Sequence, residues 1–152
     1  LGIYGKYGVY FSSYWGDANG YVSSAYKLFR NFDGNKSTYG DTNIDATNPD
    51  IENLSVYAST EGNGGKTHVI LINKKDTPVT VRVNLANITA TNGAVYGFDA
   101  SSTNVRKFGD VTVSQGGFTY TLPATSAVHV SLSGTTLKTP TPLKTTTITP
   151  KK

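Results

Sequence analysis

The stretch NLSVYASTEGNGGKTHVILIN, residues 53–73, predicts a β-hairpin and with it the fold class of most of the chain. Its two arms, 53–60 and 66–73, are rich in β-branched and apolar residues and flank a turn at 61–65. The glycines and the asparagine of that turn can adopt the positive φ angles that tight hairpin turns require. We therefore predict two antiparallel strands here, joined by a short glycine-rich connection.

The sequence beyond this hairpin continues the β pattern. Apolar and polar residues alternate over VTVRVNL, residues 79–85, which gives a strand with one buried face and one solvated face. Further strands are predicted at 94–98, 110–113, 118–122 and 128–132, with Gln115, Gly116 and Gly117 as the turn between the hairpin arms 110–113 and 118–122. Six or seven short antiparallel strands at this spacing predict a mainly β fold, an antiparallel β-sandwich over 53–133.

The run GVYFSSYWGD, residues 8–17, differs from the sandwich because it is apolar on both sides and carries the only tryptophan, Trp15. Apolar residues recur at helical spacing over 21–32 and predict an amphipathic helix. A strand that is apolar on both sides and leads into a helix is typical of parallel α/β sheets. We expect 1–34 to be the last β/α unit of a larger sheet, and to be poorly packed or associated with another chain where that sheet is absent.

Polar segments separate and follow these two units. The predicted helix should begin at a cap made by Asp17 or Asn19 and end at Gly34 in a left-handed turn. Residues 35–52 show no periodicity and are expected to form a crossing loop. Residues 134–152 are rich in Thr, Pro and Lys, and this composition predicts an extended linker. Such a linker leads us to expect a further module beyond it.

Composition excludes several classes of protein. Hydrophobic residues make up 37% of the chain, and no apolar run is long enough to cross a membrane. The net charge of +4 comes from four lysines in the tail, so ten basic residues balance ten acidic ones elsewhere and no nucleic-acid partner is expected. These lysines are Lys138, Lys144, Lys151 and Lys152. The chain starts at Leu1 and has no methionine or cysteine, so we expect a C-terminal fragment without disulfides.

Five blocks follow one another in a characteristic order: KYGVYFSSYWGD (6–17), YKLFRNFDG (26–34), YGDT (39–42), SVYAS (55–59) and VILINK (69–74). Together they resemble the C-terminal part of glycoside hydrolase family 44, and the resemblance covers nearly all of 6–133. Members of this family are bacterial secreted β-1,4-glycanases built from a (β/α)8 barrel and a β-sandwich.

The resemblance implies that 8–14 form the eighth strand of the barrel and 21–32 the helix after it. It also implies that the parent protein is extracellular and hydrolyses cellulose-type glucan, xyloglucan or mannan with retention of configuration. Its partners would be a β-1,4-linked polysaccharide, the missing N-terminal barrel portion and a carbohydrate-binding module beyond the linker.

Three residues are the candidate substrate-binding group: Tyr14, Trp15 and Asp17. They follow the end of the predicted barrel strand, where such barrels carry their active sites. The face of an indole ring offers apolar contact to the C–H surface of a sugar, although Trp15 could instead plug the barrel rim. Asp17 could orient a substrate hydroxyl, with capping of the following helix as the alternative.

The chain lacks a plausible catalytic pair. Retaining glycosidases need two carboxyl groups about 5 Å apart, and the family places two glutamates on earlier barrel strands. Glu52 and Glu61 match neither position, so we expect both to be solvated loop carboxylates and the chain alone to be inactive. His68 and His129 lack metal-site or triad spacing and are expected to be packing or surface residues. No cofactor is expected, and the spacing of Asp41, Asp45 and Asp50 fits no calcium loop.

The sandwich itself has two possible roles. Four of its aromatic residues could form a flat platform that binds carbohydrate without catalysis: Tyr57, Tyr96, Phe98 and Tyr120. However, these residues alternate with polar neighbours as core residues do, so most should point inward. The other interpretation is that the sandwich braces the barrel and separates it from later modules.

Overall fold

The computed structural model describes residues 1–62, 64–134 and 136–137, the last two by their backbone alone. Two helices precede the strands in this part of the chain. They are α1 (Gly2–Lys6) and α2 (Gly20–Arg30). The strands are β1 (Thr42–Ile44), β2 (Leu54–Thr60), β3 (Thr67–Asn73), β4 (Val79–Asn84), β5 (Ile88–Thr89), β6 (Asn92–Asp99), β7 (Ser102–Thr112), β8 (Gly117–Leu122), β9 (Ser126–Ser133) and β10 (Thr136–Leu137).

Six strands form one antiparallel sheet in the order β1-β2-β3-β9-β6-β7. Strands β4 and β8 pair as a separate ribbon, and β5 pairs with β10. The ribbon covers one face of the large sheet, since residues of β4 and β8 share a core cluster with β3, β6 and β9. The predicted mainly β fold, an antiparallel sandwich, is confirmed, with a six-stranded sheet packed against a two-stranded ribbon.

The main core lies between the large sheet and the ribbon. Side chains at every second position of β3 and β9 point into it, including Val69, Leu71, Val128 and Val130. Phe118 of β8 meets them from the ribbon and is fully buried. Because β3 and β9 are central strands, their alternate residues are buried on the opposite face as well.

Helix α2 covers that opposite face. Leu28 and Phe32 are almost fully buried there against Ile70 and Ala127 of the sheet. The helix has an apolar side, as its spacing predicted, and residues 20–30 agree with the predicted 21–32. The expectation of poor packing for 1–34 is therefore wrong for α2, because the sheet supplies the apolar surface that we assumed only a barrel could provide.

The opening hairpin forms as predicted, and the segment before it contains an unpredicted strand. Strands β2 and β3 pair in register from Leu54 with Asn73 to Thr60 with Thr67. Within 35–52, where no regular structure was expected, β1 pairs with β2 at the edge of the sheet. The three residues of β1 are too few to show a period of two, so their pairing is set by the neighbouring strand.

One predicted hairpin is wrong although its turn is right. Gln115 and Gly116 have φ angles of 50° and 70°, as a tight turn requires. However, β7 before the turn pairs with β6, and β8 after it pairs with β4, so the arms belong to different sheets. Only the bridge between Ser114 and Gly117 joins them. Strand β7 is also longer than predicted, with two register shifts against β6.

The predicted linker 134–152 lies almost wholly outside the described residues. Of that range, the structure describes Gly134 and the short strand β10.

Candidate functional site

The candidate substrate-binding residues lie on an exposed segment between α1 and α2. After α1 the chain turns at Gly8, whose φ is 65°, and residues 9–19 form neither helix nor strand. The predicted barrel strand at 8–14 is therefore not formed in this chain. A β-strand needs a neighbour for its backbone N–H and C=O groups, and none of the described strands pairs with these residues.

Aromatic side chains on this segment point into solvent. Trp15 is 100% exposed and Phe11 is 79% exposed, while Tyr14 is about half exposed. The ring of Tyr14 lies against the backbone of Gly16, where an added Cβ would be 3.4 Å from the ring. A glycine with a φ of 133° allows this approach. The structure thus places Tyr14, Trp15 and Asp17 on one exposed segment.

Asp17 does not cap the helix that follows it. The N-cap of α2 is Asn19, and no side chain makes a capping hydrogen bond there. Gly34 has the predicted positive φ of 81°, but α2 has already ended at Arg30, with Asn31 as its C-cap. Asp17 is exposed and does not act as a helix cap.

The two glutamates are too far apart to form a catalytic pair. Glu52 lies in an exposed turn before β2, and Glu61 follows the last residue of β2. Seven residues of extended strand separate them, which corresponds to roughly 20–25 Å at about 3.3 Å per residue. Retaining catalysis needs carboxyl groups about 5 Å apart. Glu52 is a solvated loop carboxylate, as expected, but Glu61 is half-buried and contacts a histidine.

That contact belongs to a buried chain of polar groups between the sheet and α2. Nδ1 of His68 lies 2.9 Å from Nε2 of His129, and Nδ1 of His129 lies 2.7 Å from the carbonyl oxygen of Leu28. Nε2 of His68 is 3.5 Å from Oε1 of Glu61. Both rings are buried, and Phe32 packs on His129 with a ring centroid distance of 3.8 Å. The two histidines are packing residues, as one of our expectations held, and not surface residues.

The Leu28 carbonyl determines which ring nitrogens carry protons. A carbonyl can only accept, so Nδ1 of His129 must donate to it and Nε2 of the neutral ring is left as an acceptor. Nδ1 of His68 must then donate to that Nε2, and Nε2 of neutral His68 has a lone pair directed toward Glu61. Nε2 of His68 accordingly has no hydrogen-bond partner among the described residues.

Burial determines the charge of both rings. Burial lowers the pKa of His129 to about 3, against smaller opposing effects of the Leu28 carbonyl and Asp33. Burial also lowers the pKa of His68, although Glu61 opposes this shift. Both rings are therefore neutral at pH 7. The sequence contained a signal for this pair, because each histidine lies inside an apolar central strand, but nothing in it showed that the two strands are neighbours.

An apolar groove of about 710 Å³ lies beside α2, away from Trp15. Its walls come from both helices and the sheet, and include Leu1, Tyr21, Phe29, Tyr57 and Phe98. Of the four aromatics proposed as a platform, Tyr57, Tyr96 and Phe98 pack in the cluster under α2 and Tyr120 packs on the opposite face. They cannot form one flat surface, because they lie on two sides of the sheet.

The acidic side chains of the described residues do not gather into a metal site. No group of three potential metal-binding side chains occurs within residues 1–62, 64–134 and 136–137. Asp41 accepts a hydrogen bond from Thr42, and Asp50 accepts one from Asn53, so these aspartates make separate local contacts. In the same residues, neither helix has the length and apolarity needed to span a bilayer.

Several glycoside hydrolases are similar to this chain. It is 45% identical over 138 residues to endoglucanase A of Paenibacillus lautus, covering 87% of this chain and 20% of that protein. It is 39% identical over 137 residues to β-mannanase/endoglucanase A of Caldicellulosiruptor saccharolyticus, covering 88% of this chain and 10% of that protein. The chain therefore spans a fifth or less of the curated relatives that it matches. No family model matches it.

Solved structures agree with these relatives. A family 44 endoglucanase from Clostridium acetobutylicum matches with a TM-score of 0.83 and 45% identity, over 87% of this chain and 27% of that one. A family 44 xyloglucanase from Paenibacillus polymyxa matches with a TM-score of 0.81 and 40% identity, over the same shares. The sandwich and its leading helix thus match those of glycoside hydrolases. More specifically, the chain corresponds to a C-terminal part of a family 44 enzyme, and the resemblance inferred from the sequence is confirmed.

Proposed function

We propose that this chain is the non-catalytic C-terminal part of a secreted, retaining endo-β-1,4-glycanase, and that Trp15, Tyr14 and Asp17 bind its polysaccharide substrate. Residues 1–34 contribute the last β/α unit of the barrel, 35–52 the crossing, 53–133 the bracing sandwich and 134–152 a linker to a carbohydrate-binding module. The proposed substrate is a β-1,4-linked glucan, xyloglucan or mannan, the classes named by the similar enzymes.

The observation that supports this proposal best is the exposure of the aromatic segment. A fully exposed tryptophan next to exposed Phe11 and Tyr14 is unfavourable in water unless a partner covers it. We propose that the rest of the barrel covers the side chains of residues 8–14. A sugar ring of the substrate would cover Trp15. An indole face stacks well on the apolar face of a pyranose.

Affinity electrophoresis of the 152-residue chain tests the substrate-binding residues. Gels containing xyloglucan, carboxymethylcellulose or galactomannan should retard the wild-type chain relative to gels without polysaccharide. Replacing Trp15 by Ala should abolish most of this retardation, whereas replacing Tyr26, an exposed aromatic on α2, should not. A stacking contact of an aromatic ring is worth about 1 kcal/mol, enough for a several-fold change in affinity and therefore in retardation.

Other outcomes would reject the proposed site. Unchanged retardation of the Trp15→Ala chain would remove Trp15 from it. Loss of retardation on replacing Tyr96 or Tyr120, with Trp15→Ala unaffected, would instead favour a carbohydrate-binding sandwich. The packing of these two tyrosines on opposite sides of the sheet argues against that alternative.

A further inference from the structure

The buried histidine pair connects two parts of the chain that the sequence assigns to different units. His68 and His129 belong to the sandwich, whereas Leu28 belongs to the helix of the β/α unit. The Leu28 carbonyl lies in the last turn of α2, where carbonyl groups lack partners within the helix. The neighbouring carbonyls of this turn are also used, because Lys27 accepts from the N–H of Asn31 and Phe29 accepts from the N–H of Tyr39.

The histidine therefore caps the helix end from the sheet. His129, a residue of the sheet, donates a hydrogen bond to this turn of α2 inside an apolar cluster. A hydrogen bond is stronger in such surroundings, and a carbonyl left there without a partner is costly. One of the contacts that attach α2 to the sheet is thus a buried hydrogen bond from a titratable imidazole ring.

We propose that Glu61, His68 and His129 form an acid-sensitive clamp, which holds the C-terminal end of α2 on the sheet at neutral pH and releases it in acid. At neutral pH the two N–H groups run in one direction, from His68 to His129 to the Leu28 carbonyl. The clamp acts on the joint between the sandwich and the β/α unit and does not depend on the proposed substrate site.

The two protons that can enter this chain differ in their effect on its hydrogen bonds. A first proton on Nε2 of His68 breaks no hydrogen bond, because it faces Oε1 of Glu61 and completes the chain. A second proton on Nε2 of His129 would face the N–H of His68 Nδ1, so two donors would oppose each other at 2.9 Å. Phe32 packs on the buried ring, so the charged ring of His129 reaches water only when the end of α2 and Phe32 move off the sheet.

Neighbouring charged and titratable groups raise or lower the pKa values of the two histidines. Asp33 raises and His68 lowers the pKa of His129, and Lys66 lowers that of His68. Tyr39 packs near both rings and remains neutral, because burial raises its pKa to about 12. The remaining group is Glu61, whose other oxygen accepts the N–H of Lys66.

The direction of the pH effect follows from proton linkage. His129 has a pKa of about 3 in the clamped state and would return toward 6.5 when the helix is released. Between these values the released state binds more protons, so clamping is complete above about pH 6.5 and is lost as the pH falls. One additional proton shifts the equilibrium by about tenfold per pH unit in this range.

Amide hydrogen exchange of the wild-type chain between pH 7 and pH 4.5, corrected for intrinsic rates, tests the clamp. Protection of the amides at the end of α2, including Asn31, should fall by up to about a hundredfold. Protection in β3 and β9 should change much less. Protection of α2 that does not depend on pH would overturn the proposal, and so would a loss in step with β3 and β9, which would indicate global acid unfolding.

Two variants separate the roles of the side chains. His129→Asn keeps a donor for the Leu28 carbonyl but does not titrate, so the pH dependence of α2 protection should disappear. An undiminished dependence in this variant would overturn the proposal. Glu61→Gln is the matched control, because its amide can still accept from Lys66 and donate to His68. It should retain acid release, and abolished release would make the carboxylate, and not His129, the trigger.

The ring nitrogens of the wild-type chain give a test that needs no variant. At pH 7, ¹H–¹⁵N correlation spectra of the imidazole rings should show His129 protonated at Nδ1 and unprotonated at Nε2, with the same tautomer for His68. The opposite tautomer of His129 could not donate to the Leu28 carbonyl and would refute the clamp even if both variants failed to fold.

Discussion

At the scale of single residues, Gly117 shows how closely β8 approaches its partner strand β4 within the ribbon. A Cβ at this position would lie 2.1 Å from the carbonyl oxygen of Val83, the residue before its partner Asn84 in β4. The sequence marked Gly117 as a turn residue. The turn itself uses positive φ at Gln115 and Gly116, so the glycine at 117 is needed for a close backbone approach and not for its φ angle.

Replacing Gly117 by Ala should lower the free energy of unfolding by about 1–3 kcal/mol, because the backbone of β4 must move to admit a methyl group. Chemical denaturation followed by far-UV circular dichroism measures this change. Gly5→Ala is the control, since an added Cβ in α1 meets nothing within 4 Å. The control should be neutral or slightly stabilising. Equal losses in both variants would show that the Val83 contact does not matter.

The histidine pair marks the limit of residue-level prediction. His68 and Ile70 share one face of β3, whereas Val69 and Leu71 share the other, and the period of two predicts this division. The sequence alone could not pair His68 with His129, because residues 61 positions apart meet only through the alignment of β3 with β9. It also could not predict that Glu61 would be half-buried.

At the scale of elements, α2 is the best example of a correct prediction with an incomplete context. The spacing of its apolar residues predicted both the helix and its buried side. The partner of that side was expected to be a barrel, and in the chain it is the large sheet. Tyr21 also donates a hydrogen bond to the carbonyl of Ala100, and Ser24 donates one to the carbonyl of Thr103.

Leu28→Ala should weaken this packing and lower the free energy of unfolding by about 2–5 kcal/mol, the usual range for a buried leucine. Leu28 is 1% exposed, whereas the neighbouring Lys27 is exposed and serves as the control. Lys27→Ala should change the free energy by less than about 0.5 kcal/mol. Denaturation with urea gives both values, and similar effects of the two substitutions would mean that α2 adds little to stability.

The segment 8–14 shows why an element can be predicted from its pattern and still be absent. Because this segment is apolar on both sides, it forms a strand only where other elements cover both of its faces. None of the described strands pairs with it, so its backbone stays outside the sheet and its aromatic rings stay exposed. In contrast, β2 and β3 lie next to each other in the sequence and need only their own turn.

At the scale of the whole molecule, the sandwich was predictable and its division into sheets was not. Alternation identified β4, β8 and β9, and the apolar arms identified β2 and β3. At 114–117 the chain passes from the large sheet to the ribbon. This change depends on which strands pair, and no local sequence pattern predicts it. The candidate substrate-binding residues share one segment, as the sequence implied, but their role remains a prediction.

The isolated chain should not hydrolyse carboxymethylcellulose, xyloglucan or mannan at a rate above that of buffer. The reason is the separation of Glu52 and Glu61 by the whole of β2, which keeps the two glutamates far beyond catalytic distance. A reducing-sugar assay measures this, with Glu61→Gln as a control for contaminating enzyme. Activity that persists in wild type and disappears in Glu61→Gln would contradict the prediction.

The edges of the six-stranded sheet affect how the chain behaves when it is concentrated. An open strand edge can pair with another molecule and lead to aggregation. One edge here is β1, which is only three residues long. The other is β7, where Lys107 and Asp110 form an exposed ion pair and two register shifts interrupt the ladder with β6. Short length on one side and charge with irregularity on the other discourage the growth of the sheet from chain to chain.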